Sequence, residues 1–156
     1  MSRQPFQVLV FPYLVSDDGS LRVAIFRRRE EAGGYCQGIA GGGEGDETPL
    51  AAAIREAGEE AGIGSDSSFR RLETVTSIPV FNFEAPHLAD GHFVIPEFSF
   101  AVEAGSNDIR LSREHLAFDW VTPEIAIDRL KWDSNRTAVW ELAERLKRGV
   151  WPDEQI

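Results

Sequence analysis

Apolar residues fall into short blocks divided by polar and glycine-containing stretches, the pattern of strands and helices sharing one core. Residues 7–15 form a β-prone apolar run, Ser16-Asp17-Asp18-Gly19 supplies turn residues, and residues 21–27 are apolar again with branched side chains. This predicts a hairpin or a pair of neighbouring strands. Gly33, Gly34, Gly41, Gly42, Gly43 and Gly45 follow. A loop is expected there, turning with positive φ or letting backbone come close to another group. Thr48 is then an N-cap with proline at the first helical position, and alanines carry a predicted helix over 49–61 until Gly62 caps it.

The chain next returns to β-type segments at 72–80 and 93–102, divided by a polar, proline-containing stretch at 84–91. That stretch reads either as a substrate-facing loop or as a solvated hairpin connection. A further strand is expected at 116–121 and a short helix at 123–130, opened by Thr122 and Pro123. Ser134 or Asn135 caps the last predicted helix, which carries Ala138, Leu142, Ala143 and Leu146 at helical spacing and ends at Gly149 and Pro152. No repeat or linker intervenes. The expectation is one domain over residues 1–156, of α/β class, with a mixed sheet between helices.

Composition narrows the partners. The 156 residues are 42% hydrophobic, enough for one core, and 16 basic against 26 acidic side chains give a net charge of −10. Without a basic stripe, long nucleic acid is excluded as a partner, whereas a small phosphorylated metabolite screened by divalent cations is not. Pro12 interrupts the N-terminal apolar run, no cleavage pattern follows, and no apolar stretch approaches the roughly 20 residues that span a bilayer. No membrane association is expected. The one cysteine, Cys36, is read as buried and inert, and a reducing, cytoplasmic location fits.

The predicted helix over 49–61 holds the chemistry. Glu56, Glu59 and Glu60 stand at i, i+3 and i+4, which brings three carboxylates to one face. Such a face is either solvated or built to receive a hard divalent cation, which takes a few carboxylates, keeps water and completes its shell with phosphate oxygens. The glycine-rich segment just before it, and Arg55 placed to pin a carboxylate such as Glu47, favour the cation.

Gly41, five residues, Glu47, seven residues and then Arg55-Glu56-Ala57-Gly58-Glu59-Glu60-Ala61-Gly62-Ile63 together resemble the complete Nudix box. Ala57 is the one soft departure, standing where that family more often has a larger aliphatic residue. The resemblance implies a Nudix-type α/β/α sandwich that hydrolyses a phosphoanhydride bond with Mg²⁺ or Mn²⁺, two or more ions being held once substrate is bound. It implies Glu56 and Glu60 as principal metal ligands, and Glu59 as a further ligand or a water-activating carboxylate. The Gly41 carbonyl becomes a candidate ligand, and Glu47 with Arg55 a structural pair fastening loop to helix.

Residues 112–120 (Ser-Arg-Glu-His-Leu-Ala-Phe-Asp-Trp) and 132–136 (Trp-Asp-Ser-Asn-Arg) are similar to the dihydroneopterin triphosphate pyrophosphohydrolase branch of the family. That similarity implies Glu114 as an additional metal ligand or the general base, and Ser134 as a residue approaching the substrate. Dihydroneopterin triphosphate or a (deoxy)nucleoside triphosphate, cleaved to monophosphate and pyrophosphate, is the expected substrate. ADP-ribose or a dinucleoside polyphosphate is the alternative, and a nucleotide-binding sensor without turnover is the alternative of another class. Arg28, in the run Arg27-Arg28-Arg29, either meets substrate phosphate or belongs to a solvated strand end. His115 is read as a packed side chain that can titrate, and Trp120, Trp132 and Trp140 as core or as a stacking face. Monomer and homodimer both remain open.

Overall fold

The computed structural model describes residues 3–83 and 86–152. Strands β1 (Arg3–Val15) and β2 (Leu21–Arg28) form the expected hairpin; a two-residue strand β3 (Cys36–Gln37) and β4 (Ile39–Glu44) follow, and then helix α1 (Pro49–Ala61). Next come β5 (Phe69–Pro79), a one-turn helix α2 (Pro86–Ala89), β6 (Val94–Glu103) and β7 (His115–Val121), and finally α3 (Pro123–Arg129) and α4 (Asp133–Arg148).

The seven strands make one mixed sheet with β1 at its centre, parallel to β6 and antiparallel to β2 and β4. On one side of β1 the partner changes along the strand: β4 pairs up to Val10 and β2 pairs from Tyr13. Pro12, which has no N–H to donate, falls in the gap between them. Beyond β2 the sheet continues into β3 and β7, so β4 and β7 part from each other and leave a cleft at that end.

Both faces of β1 are covered, which is why its apolar run is continuous. Val8 and Val10 point toward α1 with Phe26, Phe100, Ala52 and Ala57, and Leu9 and Phe11 point toward α3 and α4 with Ile25, Ala126, Ala138 and Leu142. This is a three-layer α/β/α sandwich. No helix among the described residues is long and apolar enough to cross a membrane.

Several expectations need correction. The glycines at 41–43 are in a strand and have no positive φ; only Gly33, Gly34 and Gly45 of that stretch turn left-handed. Their bareness serves proximity instead, since a Cβ on Gly41 would sit 2.2 Å from the Glu56 carboxylate. Neither Ser134 nor Asn135 caps α4, which starts at Asp133 with Trp132, two residues before Ser134, at the N-cap and no side-chain cap. Asn135 is buried and its Oδ1 accepts the backbone N–H of Gly38 at 2.8 Å, joining α4 to the β3–β4 bend. Cys36 is half-buried, on a strand too short to be enclosed, with its sulfur 3.9 Å from Arg129. Trp132 and Trp140 are exposed and not core, while half-buried Trp120 packs on the α1-side core. Of the stretch at 84–91, Glu84 and Ala85 lie outside the described residues, and part of the rest is helix α2.

The Asn135 bond sets one expectation. Asn135→Ala leaves the Gly38 N–H buried without an acceptor, and should cost ~1–3 kcal/mol in a urea titration. Unchanged stability would mean that the bend does not depend on α4.

Candidate functional site

Helix α1 forms from local signals. Thr48 Oγ1 accepts the Ala51 N–H, Pro49 takes the first turn, and Gly62 closes the helix at φ 70° with its N–H on the carbonyls of Ala57 and Gly58. The buried stripe Ala52, Ala53, Ala57 and Ala61 is made of methyl groups, which lets the helix lie close on the sheet. That closeness brings Glu56 against bare Gly41 of β4.

One carboxylate oxygen from each of Glu56, Glu59 and Glu60 can be chosen so that all lie within 4.8 Å of one another. Glu56 and Glu60 are buried, and Glu59 is exposed. Burial raises the Glu56 pKa to about 7 against the opposing hydrogen bond and charge of Arg55, with Glu59 and Glu60 adding like charge. Burial acts in the same sense on Glu60, but contact with His115, a hydrogen bond from Ser112 and the charge of Arg28 outweigh it and hold that carboxyl below its usual range. The His115 Nδ1 is 3.3 Å from Glu60 Oε2, too poorly aligned for a regular hydrogen bond, and the Ser112 hydroxyl donates to the same oxygen.

Arg55 holds the approach to this face. Its Nε and Nη2 fork onto Glu47 at 2.8 and 3.1 Å, and Nη2 also reaches the Gly42 carbonyl at 2.8 Å. Its Nη1 donates to Glu56 at 3.0 Å and lies 3.3 Å from Glu59. Glu47 in turn accepts the Glu44 N–H at 2.8 Å, which closes the turn between β4 and α1. The Arg55 hydrogen bond holds the Glu47 pKa below the usual carboxylate range.

Across the cleft stands Glu114, exposed, in the segment leading into β7. It lines a cleft of about 300 Å³ together with Arg3, Gly41, Gly42 and Glu56. Arg28 is turned inward where Arg27 and Arg29 are exposed; its Nε is buried without a partner among the described residues and its charge reaches Glu60. Ser134 is not in this group. It lies in the first turn of α4, on the other face of the sheet, beside the buried carboxyl of Glu97.

Three residues were not singled out by sequence: Ser112 and Arg3, which belong to this group, and Glu97, which is buried on the other face of the sheet. Ser112 and Arg3 carry no local signal. Glu97 has one, an acidic residue inside the apolar strand Val94–Glu103, with buried Ile95 and Ser99 two residues to either side.

The raised carboxyls give a pH expectation. Glu56 and Glu97 both have folded pKa values of about 7 against a reference of 4.5, so between those values the folded chain binds more protons than the unfolded one. Their contribution therefore grows as pH falls from 7 toward 4.5. Glu47, Glu60 and Glu141 are shifted the other way, and their contribution is lost as pH falls further. Melting in chelator should thus peak at about pH 5–6. A melting temperature still rising from pH 6 to 8 would contradict this assignment.

Comparison with known proteins agrees with the geometry. Residues 5–140 match the family model of the NUDIX domain. A protein of Listeria monocytogenes described as a Nudix hydrolase superposes with a TM-score of 0.84 at 37% identity, covering 94% of this chain and 97% of that one. The dihydroneopterin triphosphate diphosphatase of Haemophilus influenzae is 30% identical over 134 residues, 81% of this chain and 82% of its own length. An octanoyltransferase of Myxococcus xanthus is 34% identical over 124 residues, 76% of this chain, but the match spans only 31% of that protein. With the fold, the three-carboxylate helix and the domain match in agreement, the chain belongs to the Nudix family and is a pyrophosphohydrolase.

Proposed function

We propose that the protein cleaves a small organic triphosphate, dihydroneopterin triphosphate or a (deoxy)nucleoside triphosphate, to monophosphate and pyrophosphate. The observation that carries this is the facing of Glu56 and Glu114 across one cleft whose wall also holds Arg3 and the bare backbone of Gly41 and Gly42. Similarity to the Haemophilus diphosphatase supports the triphosphate reading.

The donor set fits Mg²⁺ or Mn²⁺: three carboxylates converge, two of them buried, and Arg55 pairs with Glu56 and Glu59 while Glu60 has His115 at 3.3 Å as its neighbour. Glu56, Glu59 and Glu60, with Glu114 and the Gly41 carbonyl, would hold the ions. When bound, such ions neutralise charge on the phosphates and on the leaving oxygen.

The chain's own groups do the rest. Water attacks phosphorus in line, the bond from that phosphorus to the bridging oxygen breaks, and pyrophosphate departs. Glu114 takes the water's proton; Glu59 is less suited because Arg55 lies within 3.3 Å of its carboxylate. Arg28 and Arg3 meet phosphate oxygens, each having a buried Nε without a partner among the described residues. Glu114→Gln should then lower kcat by ~10²–10⁴ with KM little changed. An equal loss in Glu59→Gln alone would transfer the base to Glu59.

The test is turnover with Mg²⁺ of dihydroneopterin triphosphate, the common nucleoside triphosphates, ADP-ribose and diadenosine polyphosphates, with products identified by mass. Release of pyrophosphate from a triphosphate supports the reading. Preference for ADP-ribose or a dinucleoside polyphosphate replaces the substrate, and metal-dependent binding without hydrolysis replaces the enzyme by a sensor.

A further inference from the structure

Glu114 stands on no helix or strand. It is exposed, in the turn just before β7, and its backbone N–H donates to the Ser112 Oγ at 3.2 Å. The same hydroxyl donates to Glu60 Oε2 on α1, 52 residues away in sequence. A serine hydroxyl has one donor and two acceptor lone pairs, so both bonds form at once. The Ser112 N–H adds a third tie, to the Glu60 carbonyl at 3.3 Å.

One residue thus touches the side chain and the backbone of Glu60 and the backbone of Glu114. For Glu60 the consequence is which oxygen remains. His115 Nδ1 lies 3.3 Å from Oε2, the oxygen that Ser112 already bonds, and Oε1 meets neither. A carboxylate held through one oxygen keeps its orientation and offers the other to a cation. For Glu114 the consequence is position. A side chain on an exposed turn wanders unless its backbone is fixed, and a displacement of ~1 Å near a reacting group can cost ~10²-fold in rate.

The segment has other anchors. The Arg110 N–H donates to the Ala61 carbonyl at 3.0 Å, and Arg29 Nε donates to the Arg113 carbonyl. These bonds hold the chain near the end of α1 and involve no carboxylate of the site. Loss of the Ser112 hydroxyl should therefore leave the segment in place and loosen the two glutamates.

Building on the reading of Glu114 as the base, we propose that Ser112 is a positioning residue. Through one hydroxyl it holds Glu60 and Glu114 in a common register, so that the oxygen offered to a cation and the carboxylate that takes the water's proton are set before substrate arrives.

Metal binding tests this without turnover. Electron paramagnetic resonance of free Mn²⁺, with the full chain at pH 8 and no substrate, should show ~10-fold weaker binding in Ser112→Ala than in the wild type. Ser112→Thr keeps the hydroxyl and should recover most of that affinity. At saturating Mg²⁺, where weaker binding no longer matters, Ser112→Ala should still lower kcat ~10-fold for the triphosphate cleaved best, with KM little changed. In a Glu114→Gln background the same substitution should cost less than about twofold, since no base is left to misplace.

A serine that only stabilised the fold would lower the melting temperature in chelator and leave Mn²⁺ affinity and kcat of the folded protein as they are. That result, losses that Ser112→Thr does not recover, or the full loss of kcat persisting beside Glu114→Gln would overturn the proposal. The expected Mn²⁺ pattern with no triphosphate turnover in the wild type, or with undiminished kcat in Glu114→Gln, would instead overturn the reaction or the base proposed above and keep Ser112 as the support of Glu60.

Discussion

Glu60→Gln should lower kcat roughly 10³-fold, the loss of about 4 kcal/mol of charge stabilisation at the phosphates. The substitution keeps the side chain's shape, and the amide oxygen still accepts the Ser112 hydroxyl that now bonds Glu60. Folding should therefore survive. Burial opposes the Glu60 charge, yet its depressed pKa shows that His115, Ser112 and Arg28 outweigh both burial and the repulsion from the neighbouring carboxylates. Melting in chelator at pH 8 should thus fall slightly while the chain still folds. What disappears is the response to metal: Mg²⁺ at about 100 times its Kd should stabilise the wild type by ~2.7 kcal/mol and the variant by much less. Near-normal turnover, or an undiminished Mg²⁺ shift, would remove Glu60 from the ligand set.

Arg55→Ala should be the most damaging single change to the fold near the site. The guanidinium bridges Glu47, the Gly42 carbonyl and Glu56 through contacts of 2.8–3.1 Å. Without it Glu56 stays buried beside Glu59 and Glu60 with its neutralising partner gone, and the turn from β4 to α1 loses its tie. A loss of roughly 3 kcal/mol is expected in urea titrations at pH 8 in chelator, the lower end of the range for breaking a buried pair. Lowering the pH to 6 should shrink the loss, since Glu56 can then take up a proton. Arg55→Lys should recover only part, because an ammonium cannot present the two-pronged fork that Glu47 accepts. A loss below about 1 kcal/mol would show that the turn holds itself.

The two variants together test a division of labour within one turn of helix. Arg55 and Glu47 tie the β4–α1 turn to the helix, whereas Glu56 and Glu60 belong to the converging carboxylates, Glu56 lining the cleft. Turnover lost in Arg55→Ala should return in part at low temperature, where the weakened turn is still formed. Turnover lost in Glu60→Gln should not.

The part of the molecule that the sequence determined is the part built from contacts within four residues. Helix α1 has its predicted bounds because its cap hydroxyl, its N1 proline, its alanines and its terminal glycine act on their own neighbours. The same helical period aligned Glu56, Glu59 and Glu60 before any fold was known. The hairpin β1–β2 and the helix behind Thr122 were legible for the same reason.

Only the tertiary structure decided the rest. Glycines favour loops by local propensity, so the 41–43 run looked like one; it is a strand because Glu56, Arg3 and Phe6, all distant in sequence, occupy the space where its side chains would be. Asn135 has a capping side chain, yet it is used on Gly38, 97 residues away. Gly42 and Glu97, 55 residues apart, both pair with Gln7 solely because β1 lies between β4 and β6. Strand order, and the choice of which distant groups must share a buried space, follow from collective burial of the whole chain, which no local pattern records.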